Sequence, residues 1–132
     1  MNREIKFRAW DGEQKCFRND EFLISTTNGG KIQIVGVSID MDTVRINEDI
    51  ILMQFTGLLD KNGKEIYEGD VLKTLRFRNV VTNHVETILF LDGSFCTQTN
   101  DDVTVPISYH KEKEIEIIGN VFENPELLTP KP

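Results

Sequence analysis

Cys16, His84, Cys96 and His110 are the side chains of this 132-residue chain that could ligate zinc, or pair a thiol nucleophile with an imidazole base. Neither chemistry has a motif to support it. Structural zinc sites take their ligands in close pairs, about two to four residues apart, and no two of these four are that close. A cysteine nucleophile needs a neighbouring base and a recognisable setting. Cys96 lies between Phe95 and Thr97 in a β-prone run, where a small core or sheet-face residue is the simpler reading. With only two cysteines and no disulfide framework, both are expected to be free thiols in a reducing compartment.

Carboxylates concentrate in residues 58–70, which contain Asp60, Glu65, Glu68 and Asp70. A calcium loop of the EF-hand type starting at Asp60 would need an oxygen ligand at Lys64, glycine at Glu65 and a carboxylate at Val71. All three positions fail, so the stretch is expected to be a surface hairpin with solvated charges. Asn28-Gly29-Gly30-Lys31 lacks the spacing and the following Ser or Thr of a phosphate loop, and no Gly-x-Ser-x-Gly elbow occurs. No catalytic residue, metal or cofactor is assigned on these grounds.

Two surfaces remain as candidates. Strand alternation puts Lys6, Arg8 and Trp10 on one face, and Thr74, Arg76 and Arg78 on another. Basic side chains interleaved with an aromatic ring suit single-stranded nucleic acid, which stacks its bases on rings and its phosphates on cations. The net charge of −7 opposes that reading, and exposed strand faces are often charged for solubility alone.

The elements that would position these residues are mostly strands. Residues 3–10 alternate, with Ile5, Phe7 and Ala9 expected toward the core. Asp11-Gly12 reads as a turn, Phe22, Leu23 and Ile24 as an apolar segment, Thr27-Asn28-Gly29-Gly30 as a loop or hairpin, and residues 31–39 as a strand. Residues 40–49 carry mixed charge and read as loop or short helix, before a β-prone run over 50–55. Asn62-Gly63 predicts a type I′ hairpin turn, and Glu68-Gly69-Asp70 a second turn launching a strand over 71–77. Asp92-Gly93 joins strands over 86–91 and 94–99. Pro106 confines residues 103–107 to an edge or strand end, residues 115–122 form the last strand, and Asn124-Pro125 caps a short terminal helical turn.

Composition agrees with one soluble domain. The 39% apolar and 28% charged fractions are near globular averages, apolar runs are far too short to span a bilayer, and the charged amino terminus does not read as a secretion signal. No membrane role is expected.

Three blocks carry a resemblance. Arg3-Glu4-Ile5-Lys6-Phe7-Arg8-Ala9-Trp10-Asp11 opens the chain. Met53-Gln54-Phe55-Thr56-Gly57-Leu58 runs into residues 60–70, and Ile118-Gly119-Asn120-Val121-Phe122-Glu123-Asn124-Pro125-Glu126-Leu127-Leu128 closes it. In order and spacing they resemble the YopX family of phage and prophage proteins. The resemblance implies a mainly β, compact domain over 1–132, subdivided at most into a β segment (1–56) and a portion similar to a small SH3-like barrel (57–128). It implies action in a bacterial cytoplasm, and it brings no catalytic or binding residue with it. Residues 79–113 are the least family-like. The leading expectation is a non-enzymatic accessory protein that binds a host or phage protein or assembles as a homo-oligomer, since strand edges and apolar faces can be covered by a second copy. A small nucleic-acid-binding module using Lys6, Arg8, Trp10, Arg76 and Arg78 is the alternative, and an enzyme with a catalytic Cys96 or a convergent carboxylate site the third.

Overall fold

The computed structural model describes residues 3–17, 22–26, 32–37, 44–46, 50–77, 80–99, 102–111 and 114–128. Its strands follow the alternating and β-branched runs: β1 (Phe7–Asp11), β2 (Cys16–Phe17), β3 (Phe22–Thr26), β4 (Ile32–Val37), β5 (Val44–Ile46), β6 (Ile50–Leu59), β7 (Glu65–Tyr67), β8 (Asp70–Phe77), β9 (Val80–Leu91), β10 (Ser94–Thr99), β11 (Thr104–Pro106) and β12 (Ile115–Asn120). Ile107–Tyr109 and Pro125–Leu128 form short 3-10 turns. The fold class is mainly β, as expected. Among the described residues no helix is long and apolar enough to cross a membrane. The chain divides into two compact units, Arg8–Leu52 and Met1–Phe7 with Met53–Pro132.

In the smaller unit β1 and β2 pair antiparallel, Trp10 opposite Phe17. Asp11 closes their turn: its Oδ1 accepts the N–H groups of Glu13 (2.9 Å) and Gln14 (3.0 Å), and its carbonyl accepts that of Lys15 (2.8 Å). The left-handed residue of that turn is Lys15, at φ 56°. Strands β3, β4 and β5 form an antiparallel meander, Thr26 opposite Ile32 and Val35 opposite Ile46. The expectation of loop or short helix over 40–49 is therefore corrected at β5, where Val44-Arg45-Ile46 is β-branched at both ends and pairs with β4. The loop assigned to Thr27-Asn28-Gly29-Gly30 lies outside the described residues.

The larger unit holds a five-stranded antiparallel sheet in the order β11-β10-β9-β8-β12. Its central hairpin turns at Asp92 (φ 51°) and Gly93 (φ 81°), the two positive φ angles of a type I′ turn. Register then puts Phe90 opposite Phe95, Ile88 opposite Thr97, Leu72 opposite Glu86 and Ile117 opposite Leu72. These side chains share one sheet face. Against it pack Ile66 of β7 and Ile107, giving a core of Ile66, Leu72, Ile88, Ile107 and Ile115, with Leu58, Phe95 and Ile117 at its margin. Each fully buried side chain of this size contributes about 1.5–3 kcal/mol. Pro106 lies in the edge strand β11, as its missing N–H requires.

Strands β6 and β7 pair at Phe55–Tyr67 and Leu59–Glu65, with a register shift between them. The hydroxyl of Thr56 fills the gap in the ladder, donating to the Ile66 carbonyl (2.8 Å) and accepting the Leu58 N–H (3.2 Å). The β6–β7 connection is not the type I′ turn expected of Asn62-Gly63. Gly63 alone takes positive φ, at 80°, and its N–H returns to the Asp60 carbonyl at 3.0 Å while the Asp60 N–H reaches Lys64 at 2.8 Å. That is the longer hairpin connection, an ordinary turn followed by a left-handed glycine. At the carboxyl end Asn124 precedes the 3-10 turn as expected, but its Oδ1 accepts the Asn120 N–H (3.3 Å) rather than capping the turn.

Candidate functional site

Of the residues put forward for nucleic acid, Lys6, Arg8 and Trp10 make contacts within the fold. Lys6 Nζ lies 2.9 Å from Glu65 Oε1 and 3.0 Å from Glu4 Oε1, and 5.7 Å from the centre of the Phe55 ring. Its hydrogen bonds to Glu65 and then Glu4 hold the ammonium above the ordinary lysine range. The bond from Lys6, joined by the Tyr67 hydroxyl at 3.1 Å, holds the Glu65 carboxyl below its own. Arg8 places its guanidinium 4.8 Å from the centre of the Phe17 ring. The other side of the strand's expected division fails too: Ile5 and Phe7 are exposed, whereas Ala9 and Trp10 are both buried. Trp10 is 5% exposed and meets Phe17 edge-on at 5.0 Å, so no open ring face is offered to a base. Thr74 is buried, Arg76 lies on β8 beyond a register shift against β9, and Arg78 is outside the described residues.

The zinc and nucleophile candidates differ in setting. Cys16 and His84 are exposed, Cys96 is buried on β10, and His110 is buried after the Ile107–Tyr109 turn. Among the described residues no three metal-ligating side chains gather.

His110 instead completes a polar cluster that sequence spacing did not reveal. Its Nε2 lies 3.0 Å from Thr97 Oγ1 and 3.3 Å from Glu86 Oε2, and the same Glu86 oxygen accepts the Thr74 hydroxyl at 2.8 Å. All four are buried. A hydrolytic triad places the nucleophile on one ring nitrogen and the carboxylate on the other. Here both sit on Nε2, and Thr97 is wholly inaccessible, so the arrangement ties strands together rather than delivering a proton to a substrate. No spacing in the sequence pointed to it, because Thr74, Glu86 and Thr97 come from three strands that only register brings together, and His110 is added by a 13-residue return of the chain.

The carboxylates of residues 58–70 are structural. Asp60 is 3% exposed, not solvated as expected: its Oδ1 accepts the N–H groups of Asn62 (2.8 Å) and Lys64 (2.9 Å), and its Oδ2 that of Ile117 (3.0 Å). Burial pushes the carboxyl up, but these donors and the nearby Lys64 charge outweigh it and hold the group below the ordinary range. Asp70 Oδ2 takes the Tyr67 N–H (2.8 Å), and Asn120 Oδ1 those of Phe122 (3.0 Å) and Glu123 (2.8 Å). Asp and Asn two or three residues from a backbone donor are the signal for such turns.

Among the described residues an accessible groove of about 410 Å³ lies beside the β6 irregularity, its lining including Arg3, Glu4, Gln54, Phe55, Leu59 and Phe95. Phe95 meets Phe90 edge-on at 5.1 Å, and Phe90 is 51% exposed.

Together these features define a small, mainly β protein whose buried polar residues lock turns and strands, and which carries a partly apolar groove among its described residues. The model of the YopX protein family matches residues 6–129, and the chain belongs to that family. It is 29% identical over 139 residues to the SPbeta prophage-derived uncharacterized protein YopX of Bacillus subtilis (strain 168), covering 92% of this chain and 94% of that protein. The crystal structure of protein yopX from Bacillus subtilis is similar with a TM-score of 0.64 at 26% identity, over 93% of this chain and 97% of that one. Protein EF1440 from Enterococcus faecalis gives a TM-score of 0.59 at 29% identity, over 97% and 100%.

Proposed function

We propose that the chain is a non-enzymatic prophage accessory protein that binds a protein partner through the groove at β6 and β10, working in the cytoplasm of a bacterial host with its larger unit as an SH3-like scaffold. The observation that carries this reading is the groove itself. Phe55, Leu59 and Phe95 give it an apolar lining, continued outward by the half-exposed Phe90. Arg3 and Lys6 balance Glu4 and Glu65 around the groove, so the rim is close to neutral and the apolar lining is what favours a partner segment with an apolar anchor. Nucleic acid is the weaker reading, because the Trp10 ring is buried and Lys6 is paired with carboxylates.

The test is affinity capture with the tagged chain from induced lysogens, together with sedimentation of the purified protein. A stoichiometric partner or a self-associated species, lost in Leu59→Asp and Phe90→Asp variants of unchanged melting temperature, supports the proposal. Co-purifying nucleic acid with salt-dependent binding, or a partner indifferent to both variants, overturns it.

A further inference from the structure

The segment from β11 through His110 forms a strap at the edge of the five-stranded sheet. Strand β11 is a three-residue edge in which Pro106 lacks a donor, and Thr104, Pro106, Ser108 and Tyr109 all face solvent. At its far end Ile107 enters the apolar core and His110 the polar cluster of Thr74, Glu86 and Thr97.

The hydrogen-bond roles in that cluster form one consistent set. A carboxylate only accepts, and Glu86 Oε2 already receives the Thr74 hydroxyl at 2.8 Å. The Thr97 hydroxyl donates to the Val105 carbonyl at 3.4 Å, which leaves its oxygen to accept. Both groups facing His110 Nε2 are therefore acceptors, and the ring atom between them must carry a proton.

We infer that His110 is a latch: a proton on Nε2, shared between Glu86 on β9 and Thr97 on β10, holds residues 104–110 closed over the core as a strap able to open while the sheet stays folded. Burial of Glu86 sets the strength of the latch, since breaking the contact costs a buried carboxylate one of its donors. Phe95, packed against the core to which Ile107 belongs, also lines the groove, so opening the strap would disturb the packing behind one wall of that groove. The latch itself does not depend on what the groove binds.

Two measurements test it on the full chain. Nitrogen-15 NMR of the imidazole should show a protonated Nε2; a neutral ring carrying its proton on Nδ1 overturns the assignment without any variant being made. Backbone hydrogen exchange should then rise by at least about tenfold over residues 104–110 in His110→Leu, with β8 and β9 still protected. His110→Gln, whose amide nitrogen can reach the Nε2 position, should restore protection, and His110→Asn should not. Equal loss of protection across the sheet in His110→Leu, no change at the strap, or rescue by His110→Asn alone overturns the latch.

Discussion

The Asp60 carboxylate accepts the backbone N–H of Ile117 at 3.0 Å, joining the β6–β7 turn to the last strand across 57 residues of chain. The neighbouring Lys61 N–H donates to the Ile115 carbonyl at 3.0 Å, and Lys61 Nζ lies 3.4 Å from Glu116. The free edge of β12 is thus covered by a turn instead of standing open to another chain. Asp60→Asn keeps the shape but presents one acceptor oxygen where two are used, leaving either the turn N–H groups or that of Ile117 facing an amide donor. Loss of about 1–3 kcal/mol is expected, since a buried donor goes unsatisfied. Urea unfolding measures it, and a change of under about 0.5 kcal/mol would show that the bond contributes little.

The same carboxylate makes stability depend on acid. Its folded-state pKa lies below the ordinary value, so its contribution is fully present above the unfolded-state pKa and is lost as pH falls through the folded one. Thermal midpoints of the wild type should fall as pH drops below the ordinary carboxylate range, with a shallower fall in Asp60→Asn. Parallel curves for the two proteins would assign the acid sensitivity to other carboxylates.

What was readable in the sequence was local. The Asp92-Gly93 hairpin was legible because both residues adopt the backbone angles that their types permit, and the edge position of Pro106 because a missing donor has few places to go. Strand β5 escaped because three residues give too little alternation to outweigh the charges around them. Asn62-Gly63 misled in detail: the turn is set by Asp60, which bonds its own backbone two and four residues ahead. The Thr74, Glu86, Thr97 and His110 cluster was illegible, since its members come from three strands and a strap, and only register brings them within reach. Trp10 was placed on the correct strand but not in its buried setting, because alternation separates two faces without saying which is covered.

Gly63 and Gly69 look alike in sequence and should not behave alike. Both have positive φ, 80° and 83°, but a Cβ at Gly63 would meet nothing within 4 Å, whereas one at Gly69 would lie 3.1 Å from Met53 Sδ and 3.5 Å from Val121 Cγ2. Gly63→Ala should cost about 1 kcal/mol, the usual penalty for a left-handed residue with a side chain. Gly69→Ala should cost more, about 2–3 kcal/mol with the added crowding. Denaturant midpoints decide, and equal losses would mean that Met53 moves aside freely.

The buried cluster should show itself as energetic coupling rather than as activity. His110→Leu leaves the Glu86 carboxylate with the Thr74 hydroxyl alone, and Glu86→Leu leaves a polar imidazole among strand residues. Each is expected to cost about 1–3 kcal/mol, the range for leaving a buried polar group without its hydrogen bond. In the double variant neither orphan remains and apolar side chains fill much of the same space, so the loss should fall short of the sum by about 1–3 kcal/mol. Urea unfolding of the four proteins at one pH gives the coupling directly. Additivity to within about 0.5 kcal/mol would mean that the two residues merely occupy neighbouring space, and that β9 is joined to the strap by packing at Ile107 instead of by the bond between Glu86 and His110.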